Sequence, residues 1–269
     1  MSYTNYYPSS EMFHASIPRI MGTRLDILLI GKEETELRHI WENMENTVVR
    51  LDRMLNRFDS LSDISQINQS APICPVKPAK EIWDMINDCK KYYLLTKGYF
   101  DISLGNFNDI ILNDNEKTLY FNKDSITLDL GGYAKGYVLN IFREILEKAG
   151  INCALINFGN SSVLALGSHP YGDYWPVGLN NPYSGNKIAD LKLRDCSLSV
   201  SGNMPSHPKH IINPHNGKFV ETKKLVAVEC SNPIDAEVLT TTFMITENRD
   251  LENEILKEFE IKNIYSYNL

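Results

Sequence analysis

Residues 128–137 read LDLGGYAKGY, and this segment joins a predicted strand to a predicted helix. Its adjacent glycines, Gly131 and Gly132, let the backbone turn tightly and come close to a ligand. The amino end of a helix favours an anion, and Lys135 adds a cation there. The spacing matches neither the GxGxxG turn of a dinucleotide fold nor the GxxxxGK[ST] of a P-loop. By its own chemistry, the segment is either a plain strand–helix turn or an anion site of a different kind.

Working outward from this turn, the periodicity of apolar residues predicts helices in the first half of the chain and mostly strands in the second. Helices are predicted at 35–58, 81–97, 135–149, from 232 onward and at 249–259, and strands at 24–30, 153–158, 162–167, 175–179, 188–193, 196–201, 224–230 and 261–267. These elements do not alternate as regular βαβ units. The sequence therefore predicts an α+β fold rather than a doubly wound α/β fold.

The net charge of the 269-residue chain is −7, which argues against a nucleic-acid-binding protein because those usually carry a basic surface. No apolar run is long enough to span a membrane. Residues 1–20 lack the basic start and apolar core of a signal peptide, so we expect a cytoplasmic protein. A periplasmic or membrane-anchored protein is the alternative if a leading segment has been removed.

A second segment with chemical potential begins at the cap pair Asn232-Pro233. Glu237 and Thr241 follow it four residues apart, so they share one face of the predicted helix. A carboxylate and a hydroxyl are both hard oxygen ligands that suit Mg²⁺. The alternative is an ordinary helix in which the threonine hydroxyls bond back to main-chain carbonyls.

Two further segments carry residues that suit a bound heteroaromatic ring. His210 lies in a short predicted strand before a Pro–Gly turn, where it is either a proton carrier or a structural histidine. Tyr99 and Phe100 stand beside Asp101, so they either stack on a ligand or belong to the core with a turn aspartate.

The order and spacing of these segments together resemble the FAD:protein FMN transferase family, also called ApbE. The resemblance rests on residues 21–23, 62–68, 100–103, 129–136, 157–160, 175–178, 201–202, 210–217 and 237–241. It therefore covers nearly the whole chain beyond residue 20, and the stretches 129–136 and 210–217 are its most specific parts.

The resemblance implies an α+β fold of two interlocked lobes, with mixed or antiparallel sheets, flanking helices and a ligand cleft between the lobes. We expect residues 21–269 to form one such domain and residues 1–20 to be a weakly ordered N-terminal segment. The implied activity is Mg²⁺-dependent cleavage of FAD, transfer of FMN to a threonine of an acceptor protein, and release of AMP. The implied acceptor is a subunit of a redox complex.

The resemblance also implies roles for individual residues of this chain. FAD would contact Met21, Phe58, Tyr99, Phe100, Asp101, Asp129, Lys135 and Ile211. Mg²⁺ would be held by the Gly132 carbonyl, Glu237 and Thr241 at the pyrophosphate. His210 falls at the active-site histidine of the family and is the candidate catalytic base.

The sequence departs from the family pattern at several of these positions. Glu237 stands where an aspartate is usual, and Asn213 and Asn140 replace usual aspartates. The glutamate lengthens one expected metal ligand, and the two asparagines remove carboxylates near the expected metal site. Two other functions therefore remain open. One is an FAD-binding carrier that has lost transfer, and the other is a Mg²⁺-dependent FAD pyrophosphatase that yields FMN and AMP.

Overall fold

The computed structural model of the chain describes residues 2–205 and 210–269. Its strands are β1 (Tyr3–Tyr7), β2 (Met12–Ile20), β3 (Thr23–Ile30), β4 (Ile110–Asn113), β5 (Thr118–Phe121), β6 (Cys153–Phe158), β7 (Ser162–Leu166), β8 (Trp175–Asn180), β9 (Lys187–Leu193), β10 (Cys196–Gly202), β11 (Ile212–Asn213), β12 (Lys218–Phe219), β13 (Lys224–Cys230) and β14 (Ile261–Asn268). Eight of them form one antiparallel sheet in the order β1-β2-β3-β6-β7-β10-β13-β14. The hairpins β4–β5, β8–β9 and β11–β12 stand apart from it.

The helices are α1 (Glu34–Leu55), α2 (Asp63–Ser70), α3 (Lys80–Leu95), α4 (Ala134–Lys148), α5 (Pro233–Ile245) and α6 (Arg249–Leu256). Helices α1 and α4 contact each other, and α4 also packs on α5. Helix α5 lies in turn against β10 and β13. A buried layer of helices thus covers one face of the large sheet.

Strand β3 shows why both faces of this sheet are covered. Leu25, Ile27 and Leu29 are fully buried in the main core with the helices. The side chains between them point to the opposite face. There Leu28 and Ile30 pack in a separate apolar cluster with the β8–β9 hairpin. The β8–β9 hairpin therefore covers the second face of the sheet, as the helices cover the first.

Helix α5 is enclosed on almost all sides, because Glu237 and ten other residues of this 13-residue helix are buried. The close approach of α4 depends on Gly136, whose added Cβ would lie 2.7 Å from the Pro233 carbonyl oxygen and 2.8 Å from Ile234 Cα. Real Cβ atoms do not approach main-chain atoms that closely, so glycine sets the spacing of the two helices. This spacing positions the two segments that the sequence singled out.

The α+β prediction is confirmed, and two local expectations are wrong. Within the segment expected to be weakly ordered, residues 3–7 and 12–20 instead form β1 and β2 of the large sheet, and Phe13 and Ala15 are completely buried. The segment before Gly131 is not a strand, and it bonds to a turn residue and to α2 instead of to a sheet. Asp129 N donates to the Ile102 carbonyl at 2.7 Å, and the Asn68 side chain bonds both main-chain groups of Leu128.

An acid-sensitive contact joins α3 to the first turn of α5. Tyr92 Oη donates to Asp235 Oδ1 at 2.6 Å, and burial raises the pKa of the Asp235 carboxyl above its ordinary value of 3.8. A carboxyl with a raised pKa binds its proton more tightly in the folded state than in the unfolded state. The stability that the Asp235 carboxyl contributes is therefore fully present below the pKa it has in the unfolded chain. This stability is lost as the pH rises through the pKa it has in the folded chain.

We expect Asp235→Asn, which keeps an acceptor for Tyr92, to remove this pH dependence. Relative to the variant, the wild type should gain free energy of unfolding as the pH falls from neutral toward about 4, by at most about 1.4 kcal/mol per pH unit. Urea denaturation of both proteins across that range measures the difference. A difference that is constant with pH would contradict the assignment.

Candidate functional site

A large cleft of about 710 Å³ opens at one end of the sheet, where the β2–β3 turn, the end of α1 and the segment before α4 meet. Among the residues that line it are Met21, Phe58, Asp129 and Lys135. Met21 has a φ of 47°, and its N–H donates to Asp52 Oδ1 of α1 at 3.0 Å. This hydrogen bond fixes the β2–β3 turn against α1, and Met21 lines the cleft.

The mouth of the cleft combines a planar aromatic ring with an ion pair. Arg57 Nε lies 2.8 Å from Asp129 Oδ2, while Asp129 Oδ1 accepts from the Gly131 N–H at 2.8 Å. The Arg57 guanidinium lies 4.3 Å from the centre of the Phe58 ring. Phe58 is 82% exposed, so its ring has room for a second planar group to stack.

Glu237 is a buried charge that lies behind the cleft, in contact with Lys135 of the cleft lining. Its Oε2 lies 2.8 Å from Lys135 Nζ, and the two side chains are 5% and 19% exposed. Its Oε1 accepts from Ser199 Oγ of β10 at 2.9 Å and also from Ser162 Oγ of β7. Because a buried carboxylate needs such donors, the two strands and α4 together hold this group in place.

The glycine turn before α4 reaches the same helix face as Glu237. A Cβ added at Gly132 would lie 3.5 Å from Thr241 Oγ1 and 3.3 Å from the Phe100 ring. Thr241 follows Glu237 by one helical turn. The structure thus places Gly132 beside Thr241, one helical turn from Glu237, although 105 positions of sequence separate Gly132 from Glu237. That these three residues hold a metal ion stays a prediction.

The donors at this point fit a Mg²⁺ ion that arrives with a diphosphate. They are one carboxylate, one hydroxyl and one main-chain carbonyl, all hard oxygens. Mg²⁺ in proteins commonly uses one or two carboxylates and takes its remaining ligands from water and substrate phosphates. Within residues 2–205 and 210–269, no cluster of three or more His, Cys, Asp or Glu residues stands ready to hold a metal by itself.

The remaining predicted contacts lie beside the glycine turn. Phe100 is buried against Gly132, and Tyr99 packs with Ile211 in an apolar cluster that includes α5. The Tyr99 ring lies 4.3 Å from the His215 ring. These side chains form an apolar and aromatic wall next to Gly132, outside the lining of the cleft.

Asp101 has a clear structural role in this wall. Its Oδ1 accepts from Ser103 N at 2.7 Å and from Ser103 Oγ at 2.6 Å, and its Oδ2 accepts from Phe107 N at 3.1 Å. Burial raises the pKa of the Asp101 carboxyl above its usual range. Asp101 therefore holds the loop 101–107, and its contact with a flavin nucleotide stays a prediction.

His210 is the first described residue after 206–209, and it is exposed next to the buried Ile211. Its role as a base stays a prediction. Sequence reasoning did not assign roles to Ser162 and Ser199, which bond to Glu237, or to Arg57, which pairs with Asp129. The sequence feature that could have identified the two serines is their position inside otherwise apolar strands, because a buried hydroxyl needs a polar partner.

Comparison with known proteins places this arrangement in a family. The model of the ApbE family matches residues 21–110 and 104–262, which together span most of the chain. The chain belongs to the ApbE family. The match includes both the glycine turn before α4 and the segment of α5 that carries Glu237.

Relatives of this ApbE-family chain share about a fifth of its residues over most of its length. A protein of Klebsiella pneumoniae (strain 342) named FAD:protein FMN transferase is 21% identical over 250 residues, which is 76% of this chain and 77% of the relative. One of the same name from Chlamydia pneumoniae is 22% identical over 212 residues, 68% of this chain and 63% of the relative.

Solved structures show the same fold. The flavin transferase ApbE from Vibrio cholerae superimposes with a TM-score of 0.81 at 16% identity, covering 96% of this chain and 97% of that one. The ApbE protein from Thermotoga maritima gives a TM-score of 0.79 at 20% identity, covering 92% and 91%. The sheet, the helical layer and the covering hairpin are therefore a shared architecture.

Proposed function

We propose that this ApbE-family protein is an FAD:protein FMN transferase. It cleaves FAD in a Mg²⁺-dependent reaction, attaches FMN to a threonine of an acceptor protein and releases AMP. The observation that carries the proposal is that Lys135 lines the same cleft as Phe58 and pairs with Glu237. Thr241, one turn further along the helix of Glu237, lies against the Gly132 turn. The names of the relatives support the same reaction.

The cleft suits the chemistry of FAD along its length. Phe58 and Met21 offer a ring face and a soft apolar side chain to the isoalloxazine, and Asp129 offers an acceptor to its edge. Lys135 and the amino end of α4 attract the diphosphate. Tyr99, Phe100 and Ile211, next to the glycine turn, are further contacts of the flavin in this proposal.

Phosphoryl transfer depends mainly on positioning and on neutralising charge. Mg²⁺, when held by Glu237, Thr241 and the Gly132 carbonyl, supplies positive charge to the diphosphate. Lys135 binds a phosphate oxygen and keeps the diphosphate of FAD in the cleft. The acceptor threonine Oγ forms a bond to the FMN phosphorus as the bond from that phosphorus to the AMP oxygen breaks. The hydroxyl proton passes to His210, and AMP leaves with the bridging oxygen.

The acceptor in this proposal is a subunit of a redox complex, which presents the threonine on a segment that enters the cleft. Helices of the described residues do not combine the length and the apolarity needed to cross a membrane.

Lys135→Gln tests the diphosphate contact at the first step of the reaction. We expect the dissociation constant for FAD to rise by about tenfold to a hundredfold, because a hydrogen bond to a charged group contributes about 1.5–3 kcal/mol. Quenching of flavin fluorescence on titration measures it. Lys148→Gln is the matched control, since Lys148 ends the same helix and is 79% exposed. Equal affinities in the two variants would contradict the assignment of Lys135.

A further inference from the structure

A second cavity, of about 470 Å³, lies between the β8–β9 hairpin and the sheet face that the hairpin covers. We call it the hairpin groove. Its lining residues are Leu155, Asn157, Gly159, Asn160, Ser161, Val163, Pro176, Val177, Gly178, Leu179, Asn180, Pro182, Leu198, Val200, Gly202, Met204 and Leu225. Several of the apolar ones, including Leu155, Val177 and Val200, are only partly buried, so the groove is apolar surface that the described residues leave open.

The hairpin groove runs into the large cleft. Ser161 lines both, and the turn that carries it, residues 159–161, lies where they meet. This turn is tied closely to the opposite rim, because a Cβ at Gly159 would overlap the Thr23 side chain and Gly159 N donates to the Arg24 carbonyl at 2.7 Å. A ligand that lies in the groove therefore points its end over Ser161 toward Lys135 and the diphosphate position.

The two cavities differ sharply in charge. The large cleft is lined by Arg19, Asp52, Arg57, Asp129 and Lys135 among others. Among the described residues, those that line the hairpin groove carry neither an acidic nor a basic side chain. Burying a charge there would cost free energy without a partner. The groove therefore selects a neutral occupant, which excludes a second nucleotide.

The wall formed by β8 indicates that this occupant is a polypeptide. Residues 176–180 all line the groove, although alternate side chains of a strand point to opposite faces. A strand contributes consecutive residues when its edge faces the cavity. Within the described residues, β8 pairs with β9 on one edge alone, so its other edge presents N–H and C=O groups to the groove. Such an edge is recognised by an extended segment that adds a strand.

We propose that the hairpin groove binds the threonine-bearing segment of the acceptor protein. The segment is extended and uncharged where it lies in the groove, and it pairs with the outer edge of β8. Its threonine passes over Ser161 into the large cleft. This inference rests on the proposed transferase function, since it names where the second substrate of that reaction lies.

Hydrogen–deuterium exchange of the full FAD-loaded chain with Mg²⁺ tests the proposal directly. The probe is a library of short peptides with a central threonine flanked by Gly, Ala, Ser, Val and Leu, and the comparison library has Lys and Glu in the flanks. We expect amide exchange in 177–180 to slow by about fivefold or more with the neutral library and to stay unchanged with the charged one. Unchanged exchange with the neutral library, or equal slowing with both, would overturn the proposal.

The same samples separate this proposal from the proposed function. Slowed exchange at β8 without covalent FMN on the peptides would keep the docking site and refute transfer. Covalent FMN on the peptides without slowed exchange at β8 would keep transfer and refute the docking site. Mass spectrometry of the peptides provides the second readout.

A charge placed in the groove provides a variant test. Met204 lines the groove and is 50% exposed, whereas Ile111 of the β4–β5 hairpin is 53% exposed and lies outside it. We expect Met204→Glu to raise the peptide concentration for half-maximal protection by about tenfold, with FAD affinity unchanged. Ile111→Glu should leave both values unchanged. Equal effects of the two substitutions on peptide binding would contradict the proposal.

Discussion

Replacing Glu237 with alanine is expected to lower the rate of FMN transfer by about a hundredfold to a thousandfold, because losing one preorganised charge-stabilising group typically costs that much. The substitution removes the one carboxylate of the proposed Mg²⁺ site. It also removes the partner of Lys135, which lies 2.8 Å from Glu237 Oε2. Both positive charges that face the diphosphate then lose their fixed positions. AMP release from FAD in the presence of Mg²⁺ and a threonine peptide measures the loss.

The alanine variant will also be less stable, and this must be separated from the chemical effect. Breaking a buried ion pair leaves an uncompensated charge and costs about 3–5 kcal/mol. Lys135 is 19% exposed and opens onto the cleft, so water relieves part of this cost. Glu237→Gln keeps the volume and an acceptor for Ser162 and Ser199. We expect it to fold with a smaller penalty and still to lose transfer.

Glu229→Gln is the matched control for this prediction. Glu229 is also a buried glutamate, but it lies in β13 and bonds to Cys196 Sγ and Asn263 Nδ2, away from the cleft. The control should therefore lose stability while keeping transfer. Full transfer in Glu237→Gln, or an equal loss in Glu229→Gln, would remove Glu237 from the reaction.

Gly136→Ala should destabilise the whole protein through the contact between α4 and α5. The added methyl group would meet the Pro233 carbonyl oxygen at 2.7 Å and Ile234 Cα at 2.8 Å, and main-chain atoms inside helices cannot move aside alone. Inserting a methyl group into a well-packed interior usually costs about 1–3 kcal/mol. Alanine is otherwise the better helix former, by about 1 kcal/mol, so any net loss reports the steric clash. For a chain of this size we expect the melting temperature to fall by several degrees.

Gly105→Ala is the control for Gly136, because a Cβ at Gly105 meets nothing within 4 Å and its backbone does not need glycine. Its melting temperature should stay the same or rise slightly. Displacement of α5 in Gly136→Ala should also shift Glu237, so FAD affinity should weaken beyond what the loss of stability explains. A Gly136→Ala protein with unchanged melting temperature and unchanged FAD affinity would contradict the packing described above.

Periodicity in the sequence was enough to predict most elements of the fold. The long amphipathic helix α1 and the alternating apolar strand β3 have strong patterns, and both lie within a few residues of their predicted bounds. The eight-residue helix α2 was not predicted, because it has few apolar residues, although Ser62 caps it by accepting from Ser65 N. Strands β1 and β2 were missed because the N-terminal residues are rich in Tyr and Ser, and their order comes from pairing with β3 rather than from local preference.

The site could be predicted only in part, for a similar reason. The short-range pattern placed Glu237 and Thr241 on one helix face, and it identified the Gly131-Gly132 turn. That these two segments meet depends on the packing of α4 on α5, which no spacing along the chain specifies. The family resemblance supplied this expectation. It gave no role to the serines of β7 and β10, whose contact with Glu237 depends on strand register.

The central claim is that FMN moves from FAD to a threonine rather than to water. The most direct measurement is mass spectrometry and nucleotide analysis after incubating the protein with FAD, Mg²⁺ and the neutral threonine peptide library. The proposed function predicts AMP in equal amount to a phosphoester-linked FMN on threonine, with neither product after Mg²⁺ is chelated. Release of free FMN and AMP without a peptide adduct, or FAD that binds and stays intact, would contradict it.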